Sequence, residues 1–452
     1  MHSDLIIIGA GPGGYETALA AAGRGMTVTL FNGDRLGGTC LNEGCIPTKC
    51  LCRNAEVVSL FKEGETFGID DFTFTLDYNK VVERKDAVVS QLREGIASML
   101  SKAKVNVVES KGSFKDSKTV VDKEGNEYTA DNIIIATGST SRSLPIEGHD
   151  LDCVKDSTDI VSIDYVPESL TIIGGGVIGM EFASIFSSLG SKVTVIEFMK
   201  QILPPFDSDI AKRLKQTLTK KGIKIITSAA AKKIEQNEDY EIVVTYESKG
   251  KEEQVVSSDL LMAVGRAPRV DSLNLEAAGV EYSNRGIPVD DFMRTNVPGI
   301  YAIGDVNARM MLAHVASFQG IRALNTIQTK TDNIDFSLVP SAVFTVPECG
   351  MAGLTEEQCK AQGMEIKIGQ GFYRANGKAL AMAEPDGLCK LIFNKENDRL
   401  VGIHIMGAQA ADLAQQGVDL MNAGATSESM KSVIFGHPTV SEVILSALHA
   451  VK

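Results

Sequence analysis

Two cysteines, Cys40 and Cys45, lie in the stretch Gly37-Gly38-Thr39-Cys40-Leu41-Asn42-Glu43-Gly44-Cys45-Ile46-Pro47-Thr48-Lys49. An offset of five turns the side chains of an ideal helix by about 140° and parts their Cα atoms by more than roughly 7 Å, so a regular helix cannot bridge them. A distorted first turn, which Gly44 permits, would let them join. A pair held in such a turn suits a disulfide that opens and closes; two buried thiols or an inert staple fit the same spacing. A second stretch with chemistry is Gly436-His437-Pro438-Thr439-Val440-Ser441-Glu442. Histidine with a carboxylate partner is a credible general base, because the carboxylate orients the ring and stabilises its cation. Thr439-x-x-Glu442, with Pro438 beside it, also reads as a capping box opening a helix.

These side chains need a frame, and glycine loops announce it. The apolar run 5–8 flows into Gly9-Ala10-Gly11-Pro12-Gly13-Gly14 and an Ala-rich helix, with the next strand at 27–31. Gly9, Gly11 and Gly14 fit G-x-G-x-x-G in a strand-turn-helix setting, where free N–H groups and the helix dipole favour a pyrophosphate. The pattern returns at 170–173 followed by Gly174, Gly176 and Gly179, with a strand at 192–196 ending in Glu197. An acid at that distance accepts hydrogen bonds from ribose hydroxyls and repels a 2′-phosphate, which selects NAD. In the first unit the corresponding strand ends in Phe31 and Asn32, and the nearest acid is Asp34, two residues further on. Two such units form an approximate internal repeat.

Cys-x4-Cys-x-Pro-x-Lys after Gly-Gly-Thr, the two glycine loops, Ala136-Thr137-Gly138, Gly304-Asp305 and His-Pro-Thr-x-Ser-Glu follow one another in order. In this the chain, from about Asp4 to Glu442, resembles the pyridine-nucleotide disulfide oxidoreductases (class I), and within them the dihydrolipoyl dehydrogenase branch. The resemblance implies an α/β fold of two Rossmann-like nucleotide-binding domains, for FAD and NAD, plus a C-terminal α+β dimerisation domain. It divides the chain into 1–147 (FAD domain, first part), 148–269 (NAD domain), 270–336 (return to the FAD, or central, domain) and 337–452 (interface domain). It implies FAD contacts from Gly9, Gly11, Gly14, Thr39, Lys49, Thr137, Gly138, Asp305 and Ala313, and NAD contacts from Gly174, Gly176, Gly179, Glu181, Glu197 and Gly265. The same resemblance gives Cys45 the flavin-side thiolate role, Cys40 the exchange with substrate, Lys49 and Glu181 a pair beside flavin and nicotinamide, and His437 with Glu442 the base. No metal is expected. The implied partners are a second copy of the chain, whose disulfide faces this histidine, and a lipoyl-bearing carrier protein of a 2-oxoacid dehydrogenase or glycine cleavage complex. A glutathione-reductase-like enzyme is the nearest rival, though it calls for positive charge where Glu197 and Phe198 stand. Mercuric reductase would need a further C-terminal cysteine pair, and transhydrogenases or NADH oxidases lack one cysteine. A docking subunit without chemistry would not need the full Cys, Cys, His, Glu set.

The bulk of the chain agrees with a soluble enzyme of two to four domains. Its 452 residues are 44% hydrophobic and 23% charged, with net charge −13, which disfavours a nucleic-acid surface. No apolar run nears the ~20 residues that span a bilayer. The first strand begins at once, so no leader is expected, and a reducing cytoplasm is the default setting. Eight cysteines in so long a chain are no disulfide scaffold; Cys50, Cys52, Cys153, Cys349, Cys359 and Cys389 read as free thiols. Helices are expected at 45–61 and 77–103, short strands at 105–109, 119–122, 127–130 and 131–139, and a helix from about 312. The C-terminal part reads as strands at 339–345, 365–372, 379–383, 388–394 and 400–406, with helices at 355–362, 409–422 and 438–450. His314 reads as structural.

Overall fold

The computed structural model describes residues 1–71 and 73–452. At its centre His2–Ile8 runs parallel to Val28–Phe31 on one side and Glu127–Ile135 on the other. The apolar run puts it there. Leu5 and Ile7 pack among Ala18, Ala21, Ile96 and Leu324 on one face, while Ile6 and Ile8 meet Phe31, Phe114 and Val120 on the other. A strand buried on both faces needs no alternation of polar and apolar residues. Glu127–Ile135 is one strand where the sequence suggested two. It pairs antiparallel with Thr119–Val121 in its first half and parallel with Ile300–Ala302 in its second. Asp131, within this strand, is exposed.

The second unit repeats the plan. Five parallel strands run in the order Lys224–Thr227, Lys192–Glu197, Ser169–Ile173, Asp259–Met262 and Val154–Lys155. Helix Val177–Leu189 follows the glycine loop, and an amphipathic helix, Ser208–Lys220, buries Ile210, Ala211, Leu214 and Leu218. A three-stranded antiparallel sheet, Ala229–Gln236, Ile242–Ser248 and Lys251–Ser257, completes it. The chain passes between the two units twice, and the two passages pair with each other: Ser139–Ser141 is antiparallel to Arg266–Pro268.

The C-terminal part is an antiparallel sheet in the order Ser341–Val343, Cys349–Gly353, Leu400–Met406, Leu388–Asn394 and Ile366–Phe372, packed against helices Ala410–Asn422 and Glu442–His449. Two expectations are corrected here. Residues 379–383 are not a strand: Gly377–Ala381 is helical, because the Asn376 side chain caps it by accepting the Ala379 N–H at 2.9 Å. The last helix starts at Glu442, four residues later than expected, after a turn at 437–441. Lys390, with a 1% exposed side chain, ties this sheet to the second unit, reaching Asp207 at 3.0 Å, Asp209 at 2.9 Å and Glu356 at 2.7 Å. Among the described residues no helix is long and apolar enough to cross a membrane.

Candidate active site

The two cysteines sit on different helices. Gly38–Asn42 carries Cys40, Glu43 and Gly44 break the path with Gly44 at φ −130°, ψ −107°, and Cys45 opens helix Cys45–Lys62. The helix expected from residue 45 is present, the distortion lies just before it at Glu43 and Gly44, and this break brings the two sulfurs together. Both are thiols in this structure. The Cys40 thiol donates a hydrogen bond to the Cys45 sulfur, which pulls Cys45 down to about 7; burial opposes this, and the Lys49 charge assists it. The same bond, with burial, pushes Cys40 up, so the negative charge of the reduced pair resides on Cys45. Cys50 and Cys52, further along the same helix, are buried and held as neutral thiols by desolvation.

Lys49, one turn after Cys45, reaches into the second unit. Its Nζ lies 3.0 Å from both carboxylate oxygens of Glu181, which is 3% exposed on helix Val177–Leu189. Burial disfavours the ammonium, but the Glu181 charge and hydrogen bonds outweigh it and hold Lys49 above the ordinary lysine value. Phe344, from the C-terminal part, closes this pair. Its N–H donates to Glu181 Oε1 at 3.0 Å and its ring lies 4.5 Å from Lys49 Nζ. Sequence reasoning missed Phe344, because nothing local links it to residues about 160 and 300 positions away.

The glycine loops can be tested for the cofactors by asking what a side chain would strike. A Cβ on Gly9 would lie 2.3 Å from the Ala136 carbonyl oxygen, and one on Gly14 would lie 1.8 Å from that of Gly9. In the second unit Gly174 would strike Ala263 at 2.3 Å and Gly179 would strike Gly174 at 2.0 Å. These four are glycine for the protein's own packing. The middle residues differ: Gly11 would meet nothing nearer than 4.0 Å and Gly176 nothing at all. Each is the N-cap of its helix without a side-chain cap, so each loop presents an open backbone cradle and free N–H groups. That arrangement fits a dinucleotide pyrophosphate. The Cys40 helix starts against the first cradle, since a Cβ on Gly38 would lie 2.7 Å from Gly11 Cα; this puts Thr39 beside it. Helix Ala313–Ile327 brings its first turn to the same place, with Ala316 packed on Gly13.

Asp305 sits in the turn Gly304–Asn307 and accepts a 2.5 Å hydrogen bond from Ser139 Oγ, which in turn accepts from Arg266 Nε at 2.7 Å. Ser139 and Arg266 were not anticipated. Thr137 and Gly138 lie at the crossing: Thr137 Oγ1 donates to the Arg269 carbonyl at 2.7 Å and Gly138 accepts the Arg269 N–H. Gly265, at the other crossing, has φ +118° with open space where a side chain would be. Glu197 ends its strand buried, with Oε2 accepting the Gly175 N–H at 2.5 Å and Oε1 that of Met199 at 2.6 Å. His314 Nε2 donates to the Pro340 carbonyl at 3.0 Å.

His437 Nδ1 lies 3.0 Å from Glu442 Oε1, and Glu442 Oε2 accepts the Thr439 N–H at 3.0 Å. Glu442 therefore serves the turn and the histidine together, although the N-cap is Ser441 and not Thr439. The Thr439 N–H and then His437 hold the Glu442 carboxyl below the usual range. His437 is 79% exposed, and within one chain no hydrogen bond among the described residues joins it to the thiols. Ile434, 96% exposed, stands close by in sequence.

Many known proteins are similar to this chain in sequence and in fold. Residues 3–320 match the family described as pyridine nucleotide-disulphide oxidoreductase, and residues 339–448 match that family's dimerisation domain. The chain is 38% identical over 449 residues to a dihydrolipoyl dehydrogenase of Bacillus subtilis, covering 98% of this chain and 97% of the relative. It is 39% identical over 470 residues to one of Corynebacterium glutamicum, covering 100% and 98%. Among solved structures it is similar to the HOCl-induced flavoprotein disulfide reductase RclA of Escherichia coli, with TM-score 0.89, 29% identity, and 99% of this chain and 100% of that chain covered.

Proposed function

Since the chain belongs to the pyridine nucleotide-disulphide oxidoreductase family, we propose that it is an FAD-dependent, NAD-linked dihydrolipoyl dehydrogenase acting in the cytoplasm as a homodimer. Its substrate is the dihydrolipoyl group of a carrier protein in a 2-oxoacid dehydrogenase or glycine cleavage complex. The observation that carries this reading is the Lys49–Glu181 pair, which ties the helix begun by Cys45 to the helix begun at the second glycine cradle. The full-length similarity to dihydrolipoyl dehydrogenases supports the choice of substrate.

In the oxidised protein Cys40 and Cys45 form a disulfide. His437 of a second copy, oriented by Glu442, takes the proton of one substrate thiol. The substrate thiolate attacks Cys40 Sγ, the Cys40–Cys45 bond breaks, and Cys45 leaves as a thiolate. The second substrate thiol attacks the first substrate sulfur as its proton passes to the departing Cys40 sulfur, which releases Cys40 as a thiol and closes the lipoyl disulfide. Two electrons then reside on the protein thiols. Lys49 and the Cys40 hydrogen bond hold the negative charge on Cys45. The first cradle, Asp305 and the Ala313 helix would hold FAD, which would supply the two-electron carrier between sulfur and NAD. Glu197 takes the NAD ribose and disfavours NADP, which argues against the glutathione-reductase-like alternative. An exposed His437 beside exposed Ile434 suits a surface completed by a second copy.

Anaerobic assays with dihydrolipoamide or glutathione disulfide, each with NAD(H) and NADP(H), test the reading. Turnover is expected with dihydrolipoamide and NAD alone. Cys40→Ser should abolish it while flavin stays bound, and lipoamide turnover retained in that variant refutes the assignment. His437→Gln should slow it by about 10²–10⁴.

A further inference from the structure

The two nucleotide units differ where an acid is needed. Gly9 N–H donates to the Phe31 carbonyl at 3.0 Å, and Gly174 N–H donates to that of Ile196 at 2.9 Å. Ile8 pairs with Phe31 as Ile173 pairs with Ile196. Asn32 therefore occupies in the first unit the place that Glu197 occupies in the second. A neutral amide there cannot supply the charged acceptor for a ribose. Phe31 does not help, since it is wholly buried and packs edge-on against Tyr128 at 5.2 Å.

Asn32 is only 5% exposed, and its Nδ2 donates to Glu109 Oε2 at 2.6 Å. Glu109 directly follows the strand Asn106–Val108, which runs parallel to Val28–Phe31 with Val108 opposite Phe31. The pairing delivers Glu109 to the same end of the sheet as Asn32, the end at which strand His2–Ile8 runs into the glycine loop. Among the described residues Glu109 is exposed, forms no ion pair and uses only one of its oxygens. We propose that Glu109, held in place by Asn32, is the carboxylate that accepts the adenosine ribose hydroxyls of FAD. The acid has moved from one strand to the next, and the amide left behind aims it. This rests on the reading that the first unit takes FAD.

The test is FAD binding by the full-length protein after removal of its flavin, followed by flavin fluorescence. The probes are FAD and an FAD analogue lacking the adenosine 2′-hydroxyl. Glu109→Gln should weaken FAD about tenfold or more, the scale of a hydrogen bond to a charged group, and should weaken the deoxy analogue far less. Asn32→Asp in the Glu109→Gln background should restore most of the loss by returning an acid to the strand end. Equal losses for FAD and its analogue, or no loss, overturn the proposal, as does a double variant that binds no better than Glu109→Gln. Failure of the wild-type protein to bind FAD at all removes the first-unit reading as well.

Discussion

Replacing Cys40 by alanine removes the donor that stabilises the Cys45 thiolate and tests the charge distribution of the reduced pair. Cys45 is drawn down to about 7 from an ordinary 9.0, chiefly by the Cys40 hydrogen bond. A change of that size corresponds to about 3 kcal/mol, the order of one hydrogen bond to a charged group. Cys45 is exposed as a residue although its sulfur is partly desolvated, so water replaces only part of the lost donor. About one pH unit of increase should remain, with Lys49 still opposing burial. A lower pKa means that thiolate persists to lower pH, so at pH 6 the thiolate fraction, and with it the alkylation rate at Cys45, should fall roughly tenfold in Cys40→Ala. The assay is iodoacetamide trapping across pH 5–10 in the reduced protein, read at residue 45 by mass spectrometry. Cys40→Ser, which keeps a hydroxyl donor, should shift less. A midpoint still near 7 in Cys40→Ala refutes the reasoning, as would a Cys45→Ala protein in which Cys40 alkylates with that same midpoint.

Three further outcomes follow from the geometry. Phe344→Leu keeps the backbone bond to Glu181 but removes the ring above Lys49; turnover should fall several-fold, in line with a cation–π contact of ~1 kcal/mol, with flavin content unchanged. Glu197→Gln should raise the KM for NAD about tenfold while lowering that for NADP, and an unchanged ratio of the two would remove Glu197 from nucleotide selection. Lys390→Met strands Asp207, which is fully buried, and should cost about 3–5 kcal/mol in denaturant unfolding; Asp207→Leu added to it should recover much of that loss.

What could be read in advance followed from local signals. Glycine spacing after an apolar strand marks a cradle because the backbone itself demands it, and the structure shows the middle glycines left open. Contacts made across the chain were not legible. Phe344 reaches Glu181 from 163 residues away, and Glu109 reaches Asn32 from 77; no periodicity encodes either. Helix Ser208–Lys220 went unassigned although Asp207 caps it. Residues 379–383 looked like a strand because a short apolar run carries no period of its own, and Asn376 as a cap was the signal to heed. The Glu442 turn shows a mixed case: the capping bond from Thr439 N–H to the Glu442 carboxylate is present and the same carboxylate holds His437, but the regular helix begins only at Glu442.

The paired passages Ser139–Ser141 and Arg266–Pro268 make the intervening unit a closed excursion: the chain leaves and returns through one doorway. Whatever lies between those strands can change without re-threading the central sheet. Nucleotide preference is then a transplantable property, exchangeable as one cassette between residues 142 and 265. The cassette must still present carboxylates where Glu181 meets Lys49, which aligns it with the sulfurs, and where Asp207 meets Lys390.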